Sequence, residues 1–186
     1  MKLFLKAKHW QLFVLFFGIP FAFQIVMMVS IFTSHSLLFS YFKFFPVIMI
    51  VYASSFLGWL WSIGIGLQPK VPETVKMNIA LFKTFLIIPL VYILLISVLI
   101  GMIFWDTSFL NNMGIEPMYF IVIVPIHLFC IFCMFYCLYF VAKTYKTVEL
   151  QRKVSFEDFA GEFFMLWFFP IGIWIMQPKI NKMAGY

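Results

Sequence analysis

Four long apolar runs, separated by short polar segments, dominate the chain. They cover about residues 10–32, 44–67, 84–105 and 118–142, and none of them contains Asp, Glu, Lys or Arg. A helix needs ~20 apolar residues, at ~1.5 Å rise each, to cross the ~30 Å hydrocarbon core of a bilayer. The pattern therefore predicts an all-α, polytopic bundle of four transmembrane helices, in one integral membrane domain over residues 1–186.

The C-terminal segment, about residues 161–177, is also apolar but departs from this pattern. Its core, FFMLWFFPIGIWIM, is short for a full span and carries Pro170 and Gly172 in its middle. A crossing would place Lys179 and Lys182 on the side away from the other basic segments. We expect a re-entrant or amphipathic segment, with a fifth short span as the alternative.

Two local patterns bear on this segment. Ser155 followed by Asp158 has capping-box spacing, which predicts that a helix begins there. The sequence Gln-Pro-Lys closes the second run at 68–70 and recurs at 177–179. The repeat indicates either a parallel duplication of helix pairs, as in some transporters, or chance similarity between Phe- and Ile-rich helices. In both cases the matching ends favour one side of the membrane.

Composition supports a membrane protein. Hydrophobic residues make up 65% of the chain and charged residues 11%, against ~45–50% and ~25% in soluble domains. The net charge of +6 does not indicate nucleic-acid binding, because the basic residues flank apolar runs and form no basic face on a folded domain. The predicted partner is the lipid bilayer, and no nucleic acid is expected.

The distribution of Lys and Arg predicts the orientation. Basic residues crowd the N-terminus and the connections after the second and fourth runs. The first connection carries Lys43 alone, and the third carries no Lys or Arg. Because cytoplasmic loops are enriched in these residues, the N-terminus is predicted to be cytoplasmic.

The run from Tyr139 to Lys182, YFVAKTYKTVELQRKVSFEDFAGEFFMLWFFPIGIWIMQPKINK, resembles the C-terminal part of small bacterial inner-membrane proteins that have no assigned activity. The resemblance covers about a quarter of the chain. It implies a multi-span protein of the bacterial inner membrane. It implies no functional residues for this chain.

Small residues recur at helical spacing in two of the runs. Ser54, Gly58, Ser62 and Gly66 stand every fourth residue along the second run and form one ridge. In the third run, Ser97 and Gly101 form a shorter pair of the same kind, four residues apart. Small side chains let membrane helices approach closely, so these positions are predicted helix-packing sites.

His127 is the readily ionisable side chain inside a predicted span. Such residues are costly in a bilayer and often functional, so His127 and Gln24 are a candidate polar or ligand site. The alternative is structural packing, with a neutral imidazole hydrogen-bonded to Gln24 or to Ser97.

Cys130, Cys133 and Cys137 share one face of the fourth run with His127. Thiolates suit soft metals such as Cu(I). Cysteine also packs as a small hydrophobe, and burial opposes the thiolate that a metal needs. We therefore predict no metal and no cofactor, and keep these three thiols as the alternative metal site.

Several functions are disfavoured by what the runs lack. Without carboxylates in the spans there is no relay for ion-coupled transport, and the sequence contains neither an HExxH motif nor a nucleotide-binding loop. We expect a non-catalytic membrane subunit or accessory protein that packs with itself or a membrane-protein partner through the Ser54–Gly66 ridge. The alternative is a small transporter or channel component for an uncharged or apolar solute, using His127 and Gln24.

Overall fold

A computed structural model describes residues 2–33, 41–105 and 118–186, and the regular structure within these ranges is helical throughout. Four of the helices are long and apolar enough to cross a membrane. This confirms the predicted all-α membrane bundle with four spans. The helices are α1 (Lys2–Lys6), α2 (His9–Thr33), α3 (Phe45–Gly66), α4 (Ile79–Trp105), α5 (Met118–Leu150), α6 (Phe156–Trp167) and α7 (Phe169–Ala184).

The predicted boundaries of α2 and α3 agree with the structure, whereas α4 and α5 extend further at their polar ends. The α4 helix begins at Ile79 instead of residue 84, and Lys83 in its first turns lies over the Trp61 ring at 5.8 Å. The α5 helix continues past residue 142 to Leu150. Charged residues are tolerated there because they lie where the helices leave the apolar layer.

Pro20 disturbs α2 one turn before its own position. Proline lacks an N–H and clashes with the carbonyl four residues earlier, here that of Phe16. The helix responds with a π-helical turn over Val14–Gly18, in which the Ile19 N–H donates to the Val14 carbonyl. Beyond this turn, the side chains of Ile19–Thr33 are mostly exposed.

The α3 helix forms the centre of the bundle and contacts α1, α4, α5 and the π-helical turn of α2. Trp59, Leu60 and Ile63 of α3 are fully buried. Beside them, Phe82 of α4 stacks on Phe140 of α5 with ring centroids 4.3 Å apart. Apolar and aromatic packing therefore joins the three helices into one core.

The C-terminal pair α6–α7 bends by 120° between its two helices. The α6 helix starts beside the end of α5, where Lys146 pairs with Glu162 at 2.9 Å. The α7 helix ends beside the end of α3, where the Lys70 ammonium donates to the Met183 carbonyl. The pair thus returns to the end of the bundle where it begins, which is the re-entrant form of the two predicted alternatives.

The tip of this hairpin reaches the middle of α3. Phe169 lies 5.5 Å from Phe56, ring centroid to ring centroid. Behind the tip, a Cβ atom at Gly172 would overlap the Met165 carbonyl oxygen. The bend therefore requires glycine at this position. The predicted helix start is confirmed, because the Ser155 N–H donates to the Asp158 carboxylate at 2.8 Å.

A buried glutamine joins the two ends of the chain. The Trp59 indole N–H donates to Gln177 Oε1 at 2.9 Å, and Gln177 Nε2 donates to the carbonyls of Phe4 and Ala7 at 2.8 and 3.0 Å. Asn181 Nδ2 donates to the Ala7 carbonyl at 3.1 Å. Carbonyls near a helix end lack helical partners, and these amides satisfy them at the break between α1 and α2.

The two Gln-Pro-Lys sequences lie at the same end of the bundle, as predicted, but differ in local structure. Residues Gln68–Lys70 form a 3-10 turn after α3, whereas the sequence at 177–179 continues inside α7. The N-terminus and the ends of α3, α5 and α7 share this end, together with every Lys and Arg of the chain except Lys43. We call it the basic end.

Candidate functional site

The small-residue ridge of α3 is largely covered by the chain itself. A Cβ atom at Gly58 would lie 2.9 Å from the Phe4 ring, and one at Gly66 would lie 2.5 Å from Leu5. Ser62 is buried and donates to the Gly58 carbonyl at 2.7 Å, while Ser54 is exposed. The expectation that this ridge meets a second protein is corrected: α1 of the same chain occupies most of it.

The Ser97 and Gly101 pair faces α3 near Pro46, to which a Cβ atom at Gly101 would approach within 3.7 Å. The Ser97 side chain is fully buried, and its hydroxyl has no hydrogen-bond partner among the described residues. The pair lies at the floor of an outward-facing groove that ends at Lys43 and Trp105. It is thus a contact within the chain.

His127 and Gln24 do not come together. The His127 Nδ1 atom lies 3.2 Å from the Tyr92 hydroxyl oxygen, so the predicted partners Gln24 and Ser97 are wrong. Gln24 projects from the exposed half of α2 and lines a small cleft with Phe23 and neighbouring side chains. The imidazole therefore links α5 to α4 through Tyr92.

The three cysteines are buried in the core, and no group of three or more His, Cys, Asp or Glu side chains within the described ranges is placed to share a metal ion. Cys133 and Cys137 are completely enclosed by packing. Cys130 differs from them because it lines a cavity that also contains His127.

This cavity, of about 330 Å³, is the candidate site. It lies between α3, α4 and α5, above the tip of the re-entrant pair. A second chamber of about 230 Å³ adjoins it and shares the side chains of Tyr52, Phe56, Ile93 and Met134. The main chamber is lined by Tyr52, Phe56, Pro89, Tyr92, Ile93, His127, Cys130, Ile131, Met134, Phe135, Leu138, Leu166, Trp167 and Phe169.

The polar side-chain groups of the cavity are few. They are the Tyr52 hydroxyl, the hydrogen-bonded pair of Tyr92 and His127, the Cys130 thiol and the indole N–H of Trp167. Among the described residues, no Asp, Glu, Lys or Arg lines the space. Small-molecule sites usually combine such an apolar wall with a few placed polar groups, and this one has nothing to balance an ionic charge.

The cavity has an opening toward the lipid-facing side of the bundle. His127 and Ile131 line it and are also exposed on the outer surface of α5. The exposed residues that flank them on α5 are apolar, as suits contact with acyl chains. Apart from His127, the opening is therefore bordered on α5 by apolar side chains.

The floor of the cavity belongs to the re-entrant pair. Trp167 meets Phe135 edge to face with ring centroids 4.9 Å apart, and Phe169 packs on Phe56. Aromatic contacts of this geometry contribute ~0.5–1.5 kcal/mol each beyond burial. Any movement of the α6–α7 hairpin changes the size of the cavity.

Sequence reasoning found His127 and Cys130 but missed Tyr52, Tyr92 and Trp167. A signal was present for the tyrosines: both lie well inside an apolar run, whereas tyrosine in membrane proteins usually marks the interface. The place of Trp167 in the cavity follows from the bend of the C-terminal pair, which apolar periodicity does not indicate.

No protein-family model, curated protein or solved structure matches the chain.

Proposed function

We propose that this protein is a non-catalytic, small membrane transporter component for an uncharged, largely apolar solute. The observation that carries the proposal is the aromatic cavity within the membrane-spanning helices, which is free of charged side chains and floored by a re-entrant hairpin. Re-entrant backbone at membrane depth is tolerated where protein buries it or where it lines a cavity, and here it does both.

The proposal places the basic end in the cytoplasm of a bacterium and the protein in the inner membrane. The support is the concentration of Lys and Arg at one end of the bundle, with Lys43 alone near the other. The hairpin would then enter from the cytoplasmic side. Its tip separates the cavity from that side.

The test is equilibrium dialysis of the uncharged hydrocarbon fluorene between nanodiscs that contain the protein and empty nanodiscs of the same lipid. We expect one saturable site beyond simple partitioning into lipid. Met134→Trp fills both chambers and is expected to abolish that site. Leu95→Trp, on the exposed face of α4, is the matched control and retains it. Equal uptake by protein-containing and empty discs contradicts the proposal.

A second candidate, a subunit of a homo- or hetero-oligomeric membrane complex, is favoured by the exposed half of α2. Gln24 presents a polar amide on an apolar helix surface where no other described residue bonds to it. Amides on membrane helices commonly hydrogen-bond across helix interfaces. Native mass spectrometry is expected to detect an oligomer that Gln24→Leu weakens and Met28→Leu, on the same exposed surface, leaves intact. A monomeric wild-type protein contradicts this candidate, and so does an oligomer that Gln24→Leu and Met28→Leu leave equally intact.

A further inference from the structure

The polar groups of the cavity point to one chemical feature of its ligand, and the first of them is the Tyr92–His127 pair. A neutral imidazole carries one N–H and the tyrosine carries one O–H. Their mutual hydrogen bond uses one of these two protons, whichever tautomer the imidazole adopts. One donor of the pair therefore remains available to a third partner.

Tyr52 supplies the second donor, from the opposite wall. Its side chain lines both chambers of the cavity, and its hydroxyl is engaged by no other described residue. The ring stacks on Phe56 with centroids 6.0 Å apart and is flanked by Phe169 at 6.2 Å, which fixes its position. A hydroxyl at membrane depth without a partner is unfavourable.

The walls between these donors are aromatic and apolar. Phe56 lies on the α3 side and Phe135 on the α5 side, while Trp167 and Phe169 form the floor. Aromatic side chains on several sides suit an aromatic, polycyclic body, which they can contact by stacking or edge to face. A molecule that satisfies the donors needs a hydrogen-bond acceptor and no charge, since no Asp, Glu, Lys or Arg among the described residues lines the cavity to pair with a charge.

We propose that the ligand class is an uncharged, planar, carbonyl-bearing molecule taken from the lipid phase, whose carbonyl oxygen accepts hydrogen bonds from Tyr52 and from the Tyr92–His127 pair. The carbonyl oxygen has two lone pairs and so accepts from either wall or from both. This inference rests on the proposed function, because it names the solute of the same cavity.

The test compares 9-fluorenone with fluorene, tricyclic molecules that differ in one carbonyl. Equilibrium dialysis against empty nanodiscs of the same lipid corrects each dissociation constant for partitioning. A net hydrogen bond of ordinary strength corresponds to about a five-fold change in affinity. We expect Tyr52→Phe to weaken fluorenone binding by about that factor and to leave fluorene binding unchanged.

Two further variants complete the design. The double variant Tyr92→Phe/His127→Phe removes the second donor and is expected to weaken fluorenone again, by a similar factor. Tyr136→Phe is the matched control, because Tyr136 packs on Phe85 outside the cavity. Fluorene binding by each variant reports that its cavity is intact.

The outcomes separate the two proposals. If wild-type protein binds neither probe, the proposed function fails and the ligand class fails with it. If fluorene and fluorenone both bind, and Tyr52→Phe and the double variant change neither dissociation constant, the apolar site stands but the carbonyl inference is overturned. Selective loss of fluorenone in the donor variants supports the inference.

Discussion

The two ends of the bundle are built differently. At the basic end, ion pairs join α5 to α6 and α7, and the amide of Gln177 in α7 bonds to α1 and α3, which are far from it in the sequence. At the opposite end, Gln24 is exposed and the buried Ser97 hydroxyl has no partner among the described residues. Side-chain hydrogen bonds between distant segments thus hold the basic end together, although the Thr147 hydroxyl and Asn181 Oδ1 there have no partner among the described residues. At the opposite end, Gln24 and Ser97 make no such bond to another described residue.

This contrast indicates that the two ends of the bundle have different roles. The basic end holds the re-entrant hairpin in position, and the hairpin tip carries the cavity floor to the middle of the membrane-spanning helices. Toward the opposite end, α2 is free to contact other molecules. We expect substitutions that open the hairpin, or remove the hydrogen bonds of the basic end that hold it, to cost more stability than substitutions at the opposite end.

The largest effect is expected at the hairpin bend. Gly172→Ala places a Cβ atom on the Met165 carbonyl oxygen, so the bend must open, at a cost of about 3 kcal/mol or more. Gly161→Ala is the control, because a Cβ atom there meets nothing within 4 Å; a helical Gly→Ala change is worth ~0.5–1 kcal/mol of added stability. Thermal unfolding in detergent measures the stability of both variants. Equal Tm values for Gly172→Ala and Gly161→Ala would contradict the described bend.

Gln177→Leu and Gln24→Leu compare the two ends directly. The first leaves the Trp59 indole N–H and the Phe4 and Ala7 carbonyls without this partner, at a cost of about 2–4 kcal/mol. The second removes an exposed amide and is expected to leave the Tm of the monomer unchanged or raised. Equal decreases in Tm for Gln177→Leu and Gln24→Leu would show that the two amides contribute equally to stability, which contradicts the difference between the ends.

Substitutions at two buried serines are expected to change stability less, and in different directions. Ser62→Ala removes a hydrogen bond to the Gly58 carbonyl and is expected to cost about 0.5–1 kcal/mol. Ser97→Ala removes a buried hydroxyl with no partner among the described residues and is expected to be neutral or stabilising. The measurement is Tm in the same detergent, and a loss at Ser97 as large as that at Ser62 would show that its hydroxyl is satisfied.

The smallest effect concerns the cap of α6. The hydrogen bond from Arg152 holds the pKa of Asp158 below its ordinary value of 3.8, at about 2. This stabilisation is fully present above the unfolded pKa and is lost as pH falls from 3.8 through 2. Tm is therefore expected to be insensitive to this carboxylate from pH 8 to 5. Below pH 4 it should fall more steeply in wild type than in Asp158→Asn; parallel curves would contradict the contribution.

The four spans were predictable because apolar length alone decides them. The tail was predictable in part, since its short apolar core and the positions of Lys179 and Lys182 favour re-entry but leave a fifth span open. The contacts that return it to the basic end, such as that between Lys70 and Met183, join residues far apart in the sequence and have no signature in composition or periodicity.

The candidate site was predictable only in part. The position of His127 inside a span identified it, but its partner Tyr92 lies on another helix and nothing in the sequence pairs them. The ridge of α3 was correctly identified as small, yet the five-residue helix that covers it is too short for a periodic pattern to indicate. The sequence therefore does not predict which residues on different helices contact each other.

The most direct measurement of the central claim is the sidedness of the C-terminal pair. In a variant without native cysteines, single cysteines at Lys153→Cys and Lys182→Cys flank the hairpin, and Phe44→Cys marks the opposite end of the bundle. A membrane-impermeant maleimide is applied to right-side-out and inverted vesicles. The re-entrant account predicts that positions 153 and 182 label from the same side and position 44 from the other. Labelling of 153 and 182 from opposite sides would make the pair a fifth span and would contradict the account.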